Sequence, residues 1–244
     1  MFLRIIVTAA SLVLALGLPA GAGELKQGPK AVLELFTSQG CSSCPKADAL
    51  LTELGQRPEV IALAYHVDYW DYIGWPDTFG NKDHSDRQRA YATAWGSSRI
   101  FTPQLIVNGT EGVVASRKDE VEGVLGTALL ELPITLIASD DMLEVSIPPA
   151  AALGDAEAVI WLVSYLDRAD VAIERGENTG KTIGYTHIVM GRQALGMWEP
   201  GSGAHLKLPL AEVLAEPANG AVILVQQERD GRPGRILGAA SFLR

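Results

Sequence analysis

The sequence predicts a chain of two parts, an α/β unit over residues 31–132 and an antiparallel β-sandwich-like unit over residues 133–244. In the first part, a strand, a helix and a second strand follow one another, which is the order of a βαβ unit, and a helical and aromatic insertion comes next. In the second part, seven or so short apolar runs alternate with turn clusters, a pattern typical of a sandwich. The division rests on this change of pattern at Pro133, since 244 residues fit either one large domain or two small ones.

The first 22 residues have the three regions of a secretory signal peptide. Arg4 supplies a positive charge, residues 5–18 are apolar, and small residues at 20–22 form a cleavage pattern. A retained membrane anchor is the alternative, but Gly17 and Pro19 interrupt the stretch before the roughly 20 apolar residues that a span prefers. We therefore expect an exported protein, periplasmic or secreted, that begins with a polar lead over 23–30 and has no transmembrane span after signal removal.

The bulk composition narrows the classes of partner. The chain is 48% hydrophobic and 20% charged, which is ordinary for a globular protein, and its formal net charge is −9. An acidic protein is repelled by phosphate backbones and by anionic lipid surfaces. The composition therefore argues against nucleic acid or an anionic membrane as a partner.

The two cysteines of the chain, Cys41 and Cys44, lie between a predicted strand over 31–37 and a predicted helix over 44–54. A helix N-terminus favours a thiolate over a thiol, so a C-x-x-C at this junction indicates redox chemistry. In an oxidising compartment the pair should form a disulfide. We expect Cys41 to be the exposed attacking cysteine and Cys44 the buried resolving one. An inert structural disulfide is the alternative, although so short a loop removes little entropy from the unfolded chain.

The region after the second strand, which spans 60–67, is irregular and aromatic. Trp70 and Trp75 belong to its cluster and are candidates for a peptide-binding platform beside the disulfide, with packing against the sheet as the alternative. Ser85 and Gln88 have the spacing of a capping box and predict a helix that starts there and reaches Trp95. Within it, Arg87 and Arg89 are expected to form a solvated face.

Thr102 and Pro103 open another predicted strand, which ends in a hairpin turn at Asn108 and Gly109. A closing helix is expected over 116–132. Beyond Pro133 the predicted strands, with a short helical piece at 211–215 among them, are 134–138, 142–147, 158–167, 182–190, 204–208, 221–228 and 235–242.

These motifs give the region from about 30 to 132 a resemblance to the thioredoxin-like superfamily. The stretches FTSQGCSSCPKADALL, AYHVDYWDYIGW, FTPQLIVNG and GENTGKTIGYTHIV look like a secreted bacterial thioredoxin-like family that is catalogued as a domain of unknown function. The resemblance implies that the Thr102–Pro103 bond is cis and lies against the disulfide. It also implies that the backbone of Thr102 positions an extended peptide partner, while Pro103 keeps a competing N–H away from the sulfurs.

The chain departs from the familiar pattern in two places. Thioredoxins carry a buried carboxylate six positions before the first cysteine, where it relays protons, but here that position is Leu35. Glu34 is the candidate relay, although a shift of one residue along a strand turns a side chain to the other face. The residues between the cysteines, Ser42 and Ser43, also differ from the well-known pairs, so the redox potential does not follow by analogy.

Three functions are compatible with these observations. The first is an exported thiol–disulfide oxidoreductase that acts on a protein partner, needs no cofactor, and uses its β-domain for docking or for a homodimer. The second is a non-catalytic secreted binding module whose disulfide holds its shape. The third is a copper-handling protein that uses Cys41, Cys44 and His66, because CxxCP with a histidine is similar to copper-delivery proteins of the same superfamily. The other histidines, His84, His187 and His205, show no ligand-like pairing.

Overall fold

The computed structural model of the chain describes residues 23–153 and 158–244, so the predicted signal segment 1–22 lies outside the described residues. Within these residues there are four α-helices: α1 (Pro45–Gly55), α2 (Lys82–Ala94), α3 (Lys118–Thr127) and α4 (Leu210–Val213). The strands are β1 (Glu24–Gln27), β2 (Ala31–Thr37), β3 (Val60–His66), β4 (Gln104–Val107), β5 (Glu111–Val114), β6 (Thr135–Ala138), β7 (Met142–Ile147), β8 (Ala158–Ala172), β9 (Thr182–Trp198), β10 (Ala204–Pro209), β11 (Gly220–Arg229) and β12 (Arg232–Leu243). No helix within the described ranges is long and apolar enough to cross a membrane.

Nine strands form one sheet in the order β1-β12-β11-β8-β9-β3-β2-β4-β5. The predicted βαβ unit is present, because β2 and β3 pair in parallel and α1 connects them. Both strands are buried along their whole length, as their nearly unbroken apolar runs predict. On one face of this half of the sheet, side chains of β2 and β3 pack against α1 and α3. On the other face, they pack against Tyr91 of α2.

The strands of the second predicted unit join the same sheet. Its long strands β8, β9, β11 and β12 are neighbours, and β9 meets β3 in parallel where Ile188 pairs with Ala64. The three remaining strands form a separate small sheet in the order β10-β7-β6. Its apolar face packs on β8, β11 and β12 around the buried ring of Trp198. A two-layer β arrangement therefore exists at this end, but its larger layer is continuous with the α/β part; the domain boundary at Pro133 stays a prediction.

Local signals placed the turn between β4 and β5 correctly. Asn108 and Gly109 both have positive φ, 50° and 70°, the backbone conformation of a type I′ turn, and the Thr110 N–H donates to Val107 O at 3.1 Å to close it. The Asn108 side chain is buried and accepts the Val32 N–H at 2.7 Å, so it anchors the turn to β2.

The start of α2 and the end of α3 differ from the prediction. Helix α2 begins at Lys82 and is capped by Asn81, whose side chain accepts the Asp83 N–H, so the capping box at Ser85 and Gln88 is wrong. Ser85 is buried inside the helix, and its hydroxyl donates to the carboxylate of Asp68. Helix α3 stops at Thr127 rather than at 132, because the chain turns to an extended conformation at Ala128.

Candidate functional site

The cysteines lie in the turn between β2 and α1, where the sequence places them. Backbone hydrogen bonds shape the turn, with the Cys41 N–H donating to Ser38 O at 3.1 Å and the Cys44 N–H to Cys41 O at 3.2 Å. Pro45 follows as the first residue of α1, a position where a missing N–H costs nothing. Cys41 and Cys44 form the predicted disulfide, with their Cα atoms 5.4 Å apart. The predicted disulfide is confirmed.

The disulfide is enclosed, which corrects the expectation that Cys41 is exposed. Cys41 is 1% exposed and Cys44 is fully buried, whereas Ser42 and Ser43 between them face solvent. Two segments pack against the cysteine turn: the aromatic insertion over 68–81, and residues 173–181 at the turn between β8 and β9. We call the latter the strap. A thiol from outside therefore does not meet a free sulfur in this conformation.

The aromatic insertion packs onto the cysteine turn through both candidate tryptophans. A Cβ placed on Gly40, directly before Cys41, would lie 3.1 Å from the Cβ of Trp70. The indole of Trp70 donates to Thr102 Oγ1 at 2.7 Å, and the indole of Trp75 donates to Gln39 Oε1 at 2.9 Å. Both rings are half-buried and both N–H groups are engaged. The tryptophans thus tie the insertion to the site, and the exposed aromatic ring of this segment is that of Tyr72.

The Thr102–Pro103 peptide bond is cis, as the resemblance implies. Pro103 is buried and leads into β4, which pairs antiparallel with β2 so that Gln104 lies opposite Phe36. Because Phe36 and Thr37 are the last residues of β2 before the cysteine turn, this pairing brings the proline loop to the same end of the sheet as the disulfide. The tertiary structure thus brings together two motifs that lie sixty residues apart in the sequence.

The strap contributes two side chains to the cysteine turn. Asn178, which is fully buried, donates its amide N–H groups to the carbonyl oxygens of Gln39 at 2.9 Å and Cys41 at 3.0 Å. The carboxylate of Glu177 accepts the Ser42 N–H at 3.2 Å. The sequence stretch GENTGKTIGYTHIV carries these residues, but no local pattern indicates that they reach the cysteines.

A group of buried polar side chains lies behind the disulfide and was not predicted as a group. Asp48 of α1 is one helical turn from Cys44, since its N–H donates to Cys44 O at 3.0 Å. His66, at the end of β3, binds Asp77 of the insertion, with 2.8 Å between Nδ1 and Oδ2. The ring of Tyr185 from β9 meets the His66 ring edge-on, with centroids 4.9 Å apart. The polar atoms in this group that have no partner are Thr37 Oγ1, both carboxyl oxygens of Asp48, His66 Nε2 and the Tyr185 hydroxyl.

Burial sets the protonation of this group. It raises the pKa of Asp48 to about 7, against smaller opposing effects of His66 and Thr37. For His66, burial lowers the pKa, but the charge and hydrogen bond of Asp77 outweigh it and the pKa ends above its ordinary value. The same pairing holds the pKa of Asp77 below its usual range although burial opposes it. The pKa shifts of His66 and Asp77 both favour the ionised pair, while Asp48, with a pKa of about 7, exchanges its proton near neutral pH.

Glu34 is not the proton relay that the sequence suggested. It lies on the opposite face of β2 from α1, alongside Val32 and Phe36. Its carboxylate accepts hydrogen bonds from Arg87 at 2.8 and 2.6 Å and from the hydroxyl of Tyr91. Glu34 is fully buried and paired on that face, so its carboxylate does not face the sulfurs. The buried carboxyl group on the α1 side of the sheet, where the cysteine turn begins the helix, is that of Asp48.

The prediction for the two arginines of α2 was half wrong. Arg89 is exposed and pairs with Asp86, as expected of a solvated face. Arg87 is buried, because α2 turns this side chain toward the sheet, where it meets Glu34 and Gln226 of β11. Its carboxylate partner, Glu34, comes from β2, so the sequence of α2 does not indicate that Arg87 is buried.

The histidines occupy separate surroundings. His84 donates its Nδ1–H to the backbone oxygen of His66 at 2.9 Å, and burial lowers its pKa to about 4. His187 lies on β9 and His205 on β10. Over residues 23–153 and 158–244, no three or more His, Cys, Asp or Glu side chains form a group that could hold a metal ion. The use of Cys41, Cys44 and His66 for copper stays a prediction.

Comparison with known proteins gives one family and two similar structures. Residues 32–226 match the model of a family described as "Protein of unknown function (DUF1223)". A crystal structure of a protein from Agrobacterium tumefaciens is 33% identical, covers 88% of this chain and 95% of that chain, and has a TM-score of 0.75. No curated protein matches the chain.

A second solved structure, HBP35 of Porphyromonas gingivalis, is 15% identical with a TM-score of 0.58. It covers 88% of this chain and 74% of that chain. At this identity the likeness concerns the fold alone.

Proposed function

The chain belongs to the DUF1223 family of proteins of unknown function, and we propose that it is an exported thiol–disulfide oxidoreductase that acts on a protein partner through Cys41 and Cys44. We also propose that residues 31–132 are a thioredoxin-like domain. The parallel β2–α1–β3 unit, the disulfide before α1 and the cis proline before β4 support this assignment.

The observation that carries the proposal is the placement of a buried, protonatable carboxyl group one helical turn after Cys44 of the disulfide. Asp48 follows Cys44 by one helical turn and is 4% exposed. A structural disulfide has no use for such a group, and burying a carboxyl with both oxygens unpartnered costs stability. Buried acids with displaced pKa values cluster at functional sites. Burial of the Asp48 carboxyl lowers stability, and a role in donating a proton during the reaction of the sulfurs accounts for it.

The reaction that follows transfers two electrons. A partner thiolate attacks Sγ of Cys41, the Cys41–Cys44 bond breaks, and Cys44 leaves as a thiolate. Asp48 supplies a proton on the Cys44 side, which makes Cys44 a better leaving group, and Asp48 is left ionised beside the imidazolium of His66. A second partner thiolate then attacks the partner sulfur of the mixed disulfide and releases Cys41. The partner becomes a disulfide and the chain a dithiol, and the reverse sequence reduces a partner disulfide.

The test compares single cysteine variants with the unaltered mature chain. We expect the unaltered chain to catalyse insulin reduction or peptide thiol oxidation, Cys41→Ser to lose both activities, and Cys44→Ser to accumulate a mixed disulfide at Cys41. Thermal melting of each variant controls for folding. If the unaltered chain and Cys41→Ser have the same rates in both assays, the disulfide is structural and the binding-module hypothesis replaces the enzyme.

A further inference from the structure

We infer that Glu177 and Asn178 of the strap are specificity-determining residues, which decide how large a thiol can reach Cys41. For the natural partner this inference rests on the proposed function. The strap is a closed loop, because the Ile173 N–H donates to Lys181 O at 2.9 Å and the Gly180 N–H donates to Ile173 O at 2.8 Å. These hydrogen bonds hold the two ends of the strap together at its base.

The amide of Asn178 forms the main contact between the strap and the cysteine turn, and we call this contact the clasp. Its Nδ2 donates to two carbonyl oxygens of the cysteine turn, and its Oδ1 accepts from Lys181 Nζ at 2.8 Å. All three contacts agree with one orientation of the amide, which places both donors toward Gln39 and Cys41. A buried amide with its polar atoms engaged costs free energy when it is pulled away unpaired. When the strap opens, the carbonyl oxygens of Gln39 and Cys41 therefore need new donors, from a partner or from water.

The carboxylate of Glu177 lies against the exposed side of the cysteine turn. It accepts the N–H of Ser42, the residue that directly follows Cys41, and it is exposed to solvent. Attacking thiolates are anions, so a carboxylate at this point opposes their approach as well as closing the turn. A second contact lies next to it in the strap, where a Cβ on Gly176 would be 3.4 Å from the Cβ of Trp75 of the aromatic insertion.

The closed strap should slow a polypeptide reductant more than a small one. With the strap closed, Cys41 is 1% exposed, so a small thiol needs a small opening whereas a polypeptide needs the whole strap displaced. Loss of the clasp should therefore accelerate a polypeptide dithiol more than a small one. A natural protein partner would have to supply its own hydrogen bonds to the carbonyl oxygens of Gln39 and Cys41 and to the N–H of Ser42.

The experiment measures disulfide reduction in the oxidised chain by dithiothreitol and by a synthetic 20-residue peptide that carries a CxxC dithiol. Free thiols are alkylated at timed intervals and counted by intact-mass spectrometry. The variants are Asn178→Ala and Glu177→Gln. The matched control is Glu174→Gln, which removes an equal charge from another exposed residue of the strap.

We expect both variants to be reduced by the peptide at least about fivefold faster than the unaltered chain, with a smaller gain for dithiothreitol. Asn178→Ala loses its hydrogen bonds to the turn, and Glu177→Gln replaces a charge-assisted hydrogen bond to the Ser42 N–H with a weaker neutral one. Glu174→Gln should keep the unaltered rates. Equal acceleration with both reductants, or none with either, overturns the inference. Glu177→Gln is a surface change, so it keeps the test valid if Asn178→Ala unfolds. This assay follows a single reduction of the Cys41–Cys44 disulfide and needs no catalytic turnover. If the chain fails to catalyse insulin reduction, the proposed function is refuted, but the inference about the strap is still tested by this assay.

Discussion

Nδ1 of His66 lies 2.8 Å from Oδ2 of Asp77, and neither side chain is exposed to solvent. This ion pair connects the end of β3 to the aromatic insertion. The same carboxylate accepts the N–H of Gln39 at 2.7 Å and that of Phe79 at 2.9 Å. One buried side chain therefore holds together the sheet, the insertion and the turn that carries the cysteines.

Replacing Asp77 by Asn should destabilise the protein by about 3 kcal/mol, because a buried imidazolium loses its counter-ion and the N–H acceptors are weakened. Urea unfolding of the oxidised chain measures this. Asp86→Asn is the control, since Asp86 also pairs with cations but on the surface of α2. The prediction fails if the two variants unfold at the same urea concentration.

Asp48 should make the stability of the oxidised protein depend on pH. Its pKa is about 7 in the folded chain, against about 3.9 for an unfolded Asp, so the folded state binds more protons between those values. Stability from this group therefore falls as pH rises, by about 2–3 kcal/mol between pH 5 and pH 8. His66 of β3 and Asp77 of the insertion are the charged groups that face it.

The Asp48→Asn variant cannot ionise and should lose that dependence. We expect its free energy of unfolding, measured by urea titration at pH 5 and pH 8, to change by about 2–3 kcal/mol less than that of the unaltered chain. If the free energies of unfolding of the two proteins change by the same amount between pH 5 and pH 8, Asp48 is already ionised in the folded state at pH 5. The same variant should slow disulfide exchange if Asp48 supplies the proton to Cys44.

The buried pair of Glu34 and Arg87 gives a third prediction. Arg87→Met leaves the Glu34 carboxylate buried with the hydroxyl of Tyr91 as its remaining side-chain partner, and should cost about 3–5 kcal/mol. The double variant Glu34→Leu with Arg87→Met should recover part of that loss, because both charges are then gone. Arg89→Met on the exposed side of the same helix should change stability by at most about 0.5 kcal/mol. Equal effects of the two arginine variants would contradict the buried assignment.

Gly238 of β12 marks a close approach between the two halves of the chain. A Cβ there would lie 2.1 Å from the backbone oxygen of Leu132, so Gly238→Ala requires the backbone to move. We expect it to lower the melting temperature by several degrees, as about 1–3 kcal/mol of overpacking does. Gly123→Ala is the control, since nothing lies within 4 Å of its Cβ and alanine favours the helix. A similar melting temperature for both variants would argue against the contact.

The sequence by itself determined the elements whose causes are local. Nearly unbroken apolar runs located β2 and β3, and the proline after Cys44 located the start of α1. The turn at Asn108 and Gly109 followed from the backbone freedom of those two residue types. Such features depend on sterics and hydrogen bonds within a few residues, so a local pattern contains enough information to predict them.

Only the tertiary structure decided which polar side chains meet. Arg87 was assigned to solvent and Glu34 to the sulfurs, yet they bind each other, because the packing of α2 selects the face that meets the sheet. Asn178 reaches Cys41 across 137 positions of sequence, and β8 and β9 extend a sheet that the sequence divides in two. A buried polar group must find a partner, but its type and spacing do not say which distant segment supplies one. That choice is made when the sheet and its loops close around the disulfide.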